Sequence, residues 1–214
     1  GASCNVPVID LNIHCGTTHS ECRSHITKEN LTISEIISMQ DSFIPASLIS
    51  VTPSHNIGND TYHHKIESED LIITKDILRK KMCENLEGRA IIIRTLPNLE
   101  NEIRRRNYNS KKNAFFSNEA INYLRILGVK YLVVDLPSID KFDDGGRLGN
   151  HRIFWGIDEH PPNDNIITEF AVIKNQIKDG KYLLSLNTLN INLDASPCRP
   201  IIYPILKLNN CDTI

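Results

Sequence analysis

Apolar positions along the chain fall in short, β-branched runs separated by turn signals. Ser47-Leu48-Ile49-Ser50-Val51 reads as a strand closed by Pro53, and Ala90-Ile91-Ile92-Ile93 as another, with Gly88 as a helix stop before it. Between them, Leu71-Ile72-Ile73 leads through Thr74 into helical spacing at Ile77, Leu78, Lys81 and Met82. Ser117 is an expected N-cap for a helix with Ala120, Ile121, Leu124 and Leu127 on one face, ended by Gly128. Tyr131-Leu132-Val133-Val134-Asp135 follows without alternation, which predicts a strand buried on both faces. Further strands are expected at 166–173, 182–186 and 201–206, with Asp179-Gly180 as a hairpin turn. The polar stretches 54–70 and 156–165 read as loops. Strand–helix–strand alternation in the middle, flanked by more strands, predicts a single α/β domain of mixed sheet over residues 1–214.

Composition narrows this picture by exclusion. Its 214 residues can bury a real core, and a net charge of -2 with both signs interspersed leaves no basic footprint for nucleic acid. The basic cluster Arg104-Arg105-Arg106 with Lys111-Lys112 lies in an Asn-rich stretch and reads as a solvated loop. No apolar run approaches the ~18–20 residues of a membrane span, and no leader-like pattern opens the chain. Cys4, Cys15, Cys22, Cys83, Cys198 and Cys211 form no CxxC pair, so reduced thiols in a cytoplasmic protein are expected; a secreted chain with one or two bridges is the other reading.

Candidate chemistry concentrates near the start. Three of the eight histidines, His14, His19 and His25, fall within twelve residues, with Glu21 among them. Imidazole nitrogen and carboxylate oxygen suit Zn, Mn or Fe. In extended backbone His19, Glu21 and His25 share a face, whereas His14 has the opposite parity and needs a bulge, for which Gly16 is placed. The plain alternative is a polar loop holding unrelated histidines. A zinc finger is a weak reading, because neither Cys15 nor Cys22 has a paired cysteine at short spacing. A zinc deaminase fails too: His19-Ser20-Glu21 supplies H-x-E, but Pro197-Cys198-Arg199-Pro200-Ile201 lacks the second cysteine.

The segment from His14 to His25 resembles the signature H-x-G-T-H-x-D-x-P-x-H of the cyclase/kynurenine formamidase family. Leu127-Gly128-Val129-Lys130 with Asp135-Leu136-Pro137-Ser138-Ile139-Asp140, then Asn150-His151-Arg152, then Asp194-Ala195-Ser196-Pro197-Cys198-Arg199, are similar to later family segments in the right order. The resemblance implies a swivelling β/β/α fold, a homodimer or homotetramer, and one or two divalent ions, Zn or Mn. It implies His14, His19, Glu21, His151 and Glu169 as metal ligands, and His25 as the acid/base. The implied activity is hydrolysis of a small-molecule amide, N-formyl or cyclic, by a metal-activated water. A binding protein with hydrolysis lost, or an ester or lactone hydrolase, are the alternatives on the same scaffold.

Three departures from the pattern stand out: Glu21 where the family has Asp, Cys22-Arg23 in place of the x-P step, and an extra residue in Gly16-Thr17-Thr18. Family members also carry a segment before the motif, so a missing or processed N-terminal piece is expected. Elsewhere, His63-His64 reads as a solvated pair beside Tyr62, and His160 as part of a surface loop with a lid as the other reading. Asp135 and Asp140 read as structural caps around a Pro-Ser turn, and Trp155 as core, with a pocket wall as the other reading.

Overall fold

The computed structural model describes residues 3–38, 42–82, 89–100, 113–159 and 161–205. Gly88, the basic cluster, Cys83, Cys211, His160 and residue 206 lie outside them. From the N-terminus come α1 (Ile13–Gly16), β1 (His19–Glu21), a 3-10 turn (Arg23–His25), α2 (Ile33–Ser38) and β2 (Ile44–Val51). The middle holds β3 (Ile72–Ile73), α3 (Lys75–Lys81), β4 (Ala90–Thr95), β5 (Phe115–Phe116), α4 (Asn118–Ile126) and β6 (Tyr131–Val134). Then follow α5 (Gly149–Trp155), β7 (Ile166–Glu169), β8 (Gly180–Ser185), β9 (Ala195–Pro197) and β10 (Ile201–Pro204).

Eight strands form one mixed sheet in the order β10-β8-β2-β4-β6-β7-β1-β9, while β3 and β5 pair separately. The centre, β2-β4-β6-β7, is parallel, and the strands on either side run antiparallel. This bears out the α/β class with a mixed sheet. The uninterrupted apolar runs are explained by burial on two sides. Ile91, Ile93, Leu132 and Val134 pack among Leu124, Phe154 and Trp155, whereas Ala90, Ile92, Tyr131 and Val133 pack among Ile33, Ile36 and Leu184.

Local signals decide the helix ends. Thr74 accepts from the Ile77 amide and Ser117 from the Ala120 amide, each relieving an orphan N–H at a helix start. Gly128 adopts φ +78°, where a side chain would be strained, and returns the chain towards β6. No helix among the described residues is long and apolar enough to cross a membrane.

Two expectations fail. The strand predicted over 166–173 stops at Glu169, because Phe170 takes φ +55° and turns the chain out of the ladder. Asp179-Gly180 is not a hairpin turn either: β8 crosses the sheet to pair with β2 and β10, with three strands between it and β7. The Asp179 carboxylate instead accepts from the Ser50 amide (2.7 Å), Ser50 Oγ (2.6 Å) and Arg94 Nη2 (2.9 Å). Buried Arg94 also donates to Ser50 Oγ and to the carbonyls of Lys174 and Ile177, so one guanidinium ties β2 and β4 to the 174–179 connection. Arg94→Met would leave these acceptors unsatisfied at the sheet. A loss of about 2–4 kcal/mol is expected, read as a lower urea midpoint; an unchanged midpoint would contradict this role.

Candidate metal centre

The centre is built on β1, the three residues His19-Ser20-Glu21, all buried between β7 and β9. His19 lies opposite Glu169 of β7 in the antiparallel register, so the imidazole and the carboxylate share a face. Glu21, two residues on, projects the same way.

Helical turns at both ends of β1 bring the outer histidines in. Asn12 caps α1 by accepting from the Cys15 amide, and the turn carries His14 back over the strand. A helical turn, not a bulge at Gly16, therefore resolves the parity of His14. At the other end buried Cys22 starts the 3-10 turn, and its carbonyl accepts from the His25 amide. His25 reaches the site because the chain coils; the extended backbone expected there ends at Glu21. Arg23 holds this turn from outside, bonding Glu29 (2.7 Å), Asp164 and the Asn163 carbonyl, where the family pattern has proline.

Glu21 is the hub. Its Oε2 lies 3.1 Å from His14 Nδ1 and 3.8 Å from both His19 Nε2 and His25 Nε2. Its Oε1 lies 2.9 Å from His151 Nε2. Glu169 stands across the site, with Oε2 3.8 Å from His19 Nε2 and Oε1 3.6 Å from His151 Nε2, while Oε1 also accepts from the Ile139 amide. The six residues His14, His19, Glu21, His25, His151 and Glu169 thus converge. Two overlapping groups of potential ligand atoms result, His14/Glu21/His25 and His19/Glu21/Glu169, with Glu21 common to both.

Hydrogen bonds fix several tautomers. His19 Nδ1 faces the Thr17 carbonyl at 3.0 Å; a carbonyl only accepts, so Nδ1 carries the proton. Burial holds the His19 pKa below the usual value, so the ring is neutral and Nε2 presents a lone pair. That Nε2 is buried without a hydrogen-bond partner, between two carboxylates. A lone pair among carboxylate oxygens is what a cation requires and a proton donor does not supply, so the donor set fits a divalent ion.

The remaining charges balance around Glu21. Burial opposes its ionisation, but His151 and His14 overcome that and hold its pKa far below the carboxylate range. Burial likewise opposes charge on His151, yet Glu21 and Asp140 raise its pKa well above the imidazole range. At Glu169, burial and the charge of Glu21 outweigh His151 and the Ile139 amide and push the pKa up to about 8. His14 is raised by Glu21 and Asp194 against its own desolvation, whereas burial lowers His25.

Three further residues belong to the site and were given no such role on sequence grounds. Asp194 Oδ2 bonds both His14 Nε2 (2.8 Å) and His25 Nδ1 (3.1 Å). Asp140, expected to be a turn cap, is buried and bonds His151 Nδ1 at 2.7 Å, fixing which nitrogen faces Glu21. His63, expected to be solvated, is largely buried and forms a third potential ligand group with Asp140 and Asp144. Asp144 itself caps the entry to α5 by accepting from the amides of Gly146, Arg147 and Leu148. Trp155 is core, as expected, its indole donating to the Asn165 carbonyl.

Comparison with known proteins identifies the family and the fold. The sequence model of the family described as "Putative cyclase" matches residues 5–141, and the chain belongs to that family. A kynurenine formamidase of Bacillus cereus is 24% identical over 207 residues, covering 95% of this chain and 82% of the relative. Among solved structures, one titled a potential metal-dependent hydrolase with cyclase activity aligns with a TM-score of 0.63 at 19% identity, over 90% of this chain and 80% of its own. An isatin hydrolase bound to the product analogue thioisatinate aligns with a TM-score of 0.60 at 15% identity, over 89% and 72%. These likenesses establish the fold.

The proton on Glu169 has a consequence for the ion-free protein. A carboxyl with its folded pKa raised to about 8 stabilises the fold fully below its unfolded pKa of about 4.5 and loses that contribution as pH rises to about 8. In chelator, the melting temperature should therefore fall between pH 5 and 8, and Glu169→Gln should flatten part of that slope. Parallel slopes for the two proteins would exclude a proton held at Glu169.

Proposed function

We propose that the chain is a metal-dependent hydrolase of a small-molecule amide, an N-formyl or cyclic amide on an aromatic scaffold. One observation carries this reading: a buried, unpartnered imidazole lone pair at His19 faces two carboxylates, Glu21 and Glu169, with three more histidines around them. The similarity to kynurenine formamidases supports the amide class. His14, His19, Glu21, His151 and Glu169 would hold one or two ions, zinc or manganese, with Glu21 shared between sites.

A divalent ion in this position supplies Lewis acidity and a water nucleophile competent at neutral pH, with a water pKa of roughly 7 in place of roughly 16. The chain's own residues supply the rest. His25 donates from Nδ1 to the Asp194 carboxylate, which leaves Nε2 facing the interior as a base. It takes the proton from water as the oxygen adds to the carbonyl carbon, and returns it to the departing nitrogen when the C–N bond breaks. Burial keeps His25 below the usual imidazole range, and thus neutral and able to accept at pH 7.

Glu21 supports catalysis over simple binding, because its extra methylene does not remove it from the site: its oxygens meet His14 and His151 at hydrogen-bond distance. Assembly as a homodimer or homotetramer belongs to the same reading.

His25→Ala separates the roles. Zinc bound per chain, measured after dialysis, should stay within twofold of the parent, while turnover of N-formylkynurenine or isatin falls about 10²–10⁴-fold. Full activity with metal retained would eliminate the acid/base role, and no turnover of any formanilide or isatin by the metal-loaded parent would eliminate the hydrolase. Zinc uptake at pH 6.5 should also release protons from His151 and Glu169, seen as a buffer-dependent calorimetric enthalpy; a buffer-independent enthalpy would contradict the ligand set.

A further inference from the structure

The segment Asp60-Thr61-Tyr62-His63 lies in a long polar loop, yet it touches three helix starts at once. Asp60 Oδ2 accepts from the Lys75 amide at the start of α3 and from Ser117 Oγ, the cap of α4. Thr61 donates through its amide and hydroxyl to Glu119, and its carbonyl accepts from the Asn118 amide. His63 Nδ1 meets Asn118 Oδ1 at 3.0 Å, and its Nε2 accepts from the Gly149 amide at the start of α5. Gly149 must lack a side chain for this: a Cβ there would lie 2.2 Å from the His63 ring.

Tyr62, between these anchors, reaches the metal centre through one intermediary. Its hydroxyl accepts from the Lys141 amide at 2.7 Å, so its single proton is directed at Asp140 Oδ1, 3.0 Å away. The ring packs on Phe115 and His63, with centroids 4.7 and 4.1 Å apart. Asp140 uses both oxygens: Oδ1 also accepts from the Asn150 amide, while Oδ2 takes the His151 amide and His151 Nδ1. The order is therefore Lys141 N–H to Tyr62 O–H to Asp140 carboxylate to His151, whose Nε2 ends 2.9 Å from Glu21.

We propose that Tyr62 is a positioning residue for the centre, its hydroxyl fixing the Asp140 carboxylate and thereby the ring of His151 with Nε2 turned to Glu21. Burial and the neighbouring Asp140 push the phenol pKa far above its usual value, which keeps it a donor at every working pH. The carboxylate has three other donors, the Asn150 amide, the His151 amide and His151 Nδ1, and all three belong to α5. Among the described residues, Tyr62 is the one that donates to this carboxylate through a hydroxyl from outside that helix. It couples the orientation of His151 to a loop almost ninety residues earlier in the chain. The metal consequence rests on the proposed function; the orientation of His151 does not.

Tyr62→Phe removes the hydroxyl and keeps the ring contacts. In ion-free protein labelled with 15N-histidine, the His151 Nδ1 proton should exchange with water about tenfold faster in the variant, as expected for a lost charge-assisted hydrogen bond. Zinc affinity, from competition with a chromophoric chelator, should weaken about 10–100-fold. Glu119→Gln loosens the same loop without touching Asp140 and should leave the His151 proton at its parent rate. Replacing tyrosine by 3-fluorotyrosine, a stronger donor, should slow the exchange and keeps the measurement available if the phenylalanine variant does not fold. Parent-like exchange in Tyr62→Phe, or equal acceleration in Glu119→Gln, overturns the proposal. Faster exchange in Tyr62→Phe with no zinc uptake by the parent upholds the positioning role and removes the metal-dependent reading instead.

Discussion

A carboxylate buried in a protein interior stays ionised only if cations or donors surround it, because desolvation otherwise costs several kcal/mol. Glu21, 1% exposed on a strand with neighbours on both sides, is that carboxylate here. The surrounding charge distribution follows from it. His14 and His151 touch it and carry raised pKa values, whereas His19 and His25 stand further off and are held neutral by burial. Glu169, facing the same charge with fewer donors, keeps its proton to about pH 8. The raised pKa values of His14, His151 and Glu169 keep protons around Glu21 where a bound divalent ion would otherwise supply positive charge, so binding such an ion would be coupled to proton loss.

The backbone reaches this arrangement with few residues. A three-residue strand locked between β7 and β9 fixes His19 and Glu21 against Glu169, and a helical turn at each end folds His14 and His25 back over it. Asp194, just before β9, then bridges the two returned rings, which stack with centroids 4.0 Å apart. Parallel strands β6 and β7 end beside the same point, so the Asp140 turn and α5 deliver His151 from the other side. Sheet topology, not any single element, closes the site.

What could be read from the residues beforehand divides along the same physical line. The strand cores, the Ser117 cap and the His19/Glu21 pair depend on local periodicity and side-chain chemistry, and they were legible. His151 and Glu169 were placed only through likeness to a family, since nothing local marks either as a site residue. The path of β8 was misread because Asp179-Gly180 has the composition of a hairpin turn, while its carboxylate is engaged by Ser50 and Arg94 across the sheet. His63 was misread because burial of a polar loop depends on partners more than fifty residues away: Asn118, Asp140, Asp144 and Gly149. A period of two or of 3.6 carries no trace of such contacts. Gly149 was the one available signal, a glycine opening a helix where a side chain would collide with the His63 ring.

The departures from the family pattern become intelligible as a pair. An extra residue between His14 and His19 shifts the first imidazole along the chain, and a glutamate in place of aspartate moves the carboxylate outward by one methylene. Together they meet at the same contact, His14 Nδ1 to Glu21 Oε2 at 3.1 Å, and the carboxylate's other oxygen still reaches His151. The third departure is offset separately: Arg23, anchored by Glu29 and Asp164, restrains from outside a turn that proline would restrain from within. The energy of the buried carboxylate depends on distances to its counter-charges, so the constellation constrains where charge sits more than which side chain carries it.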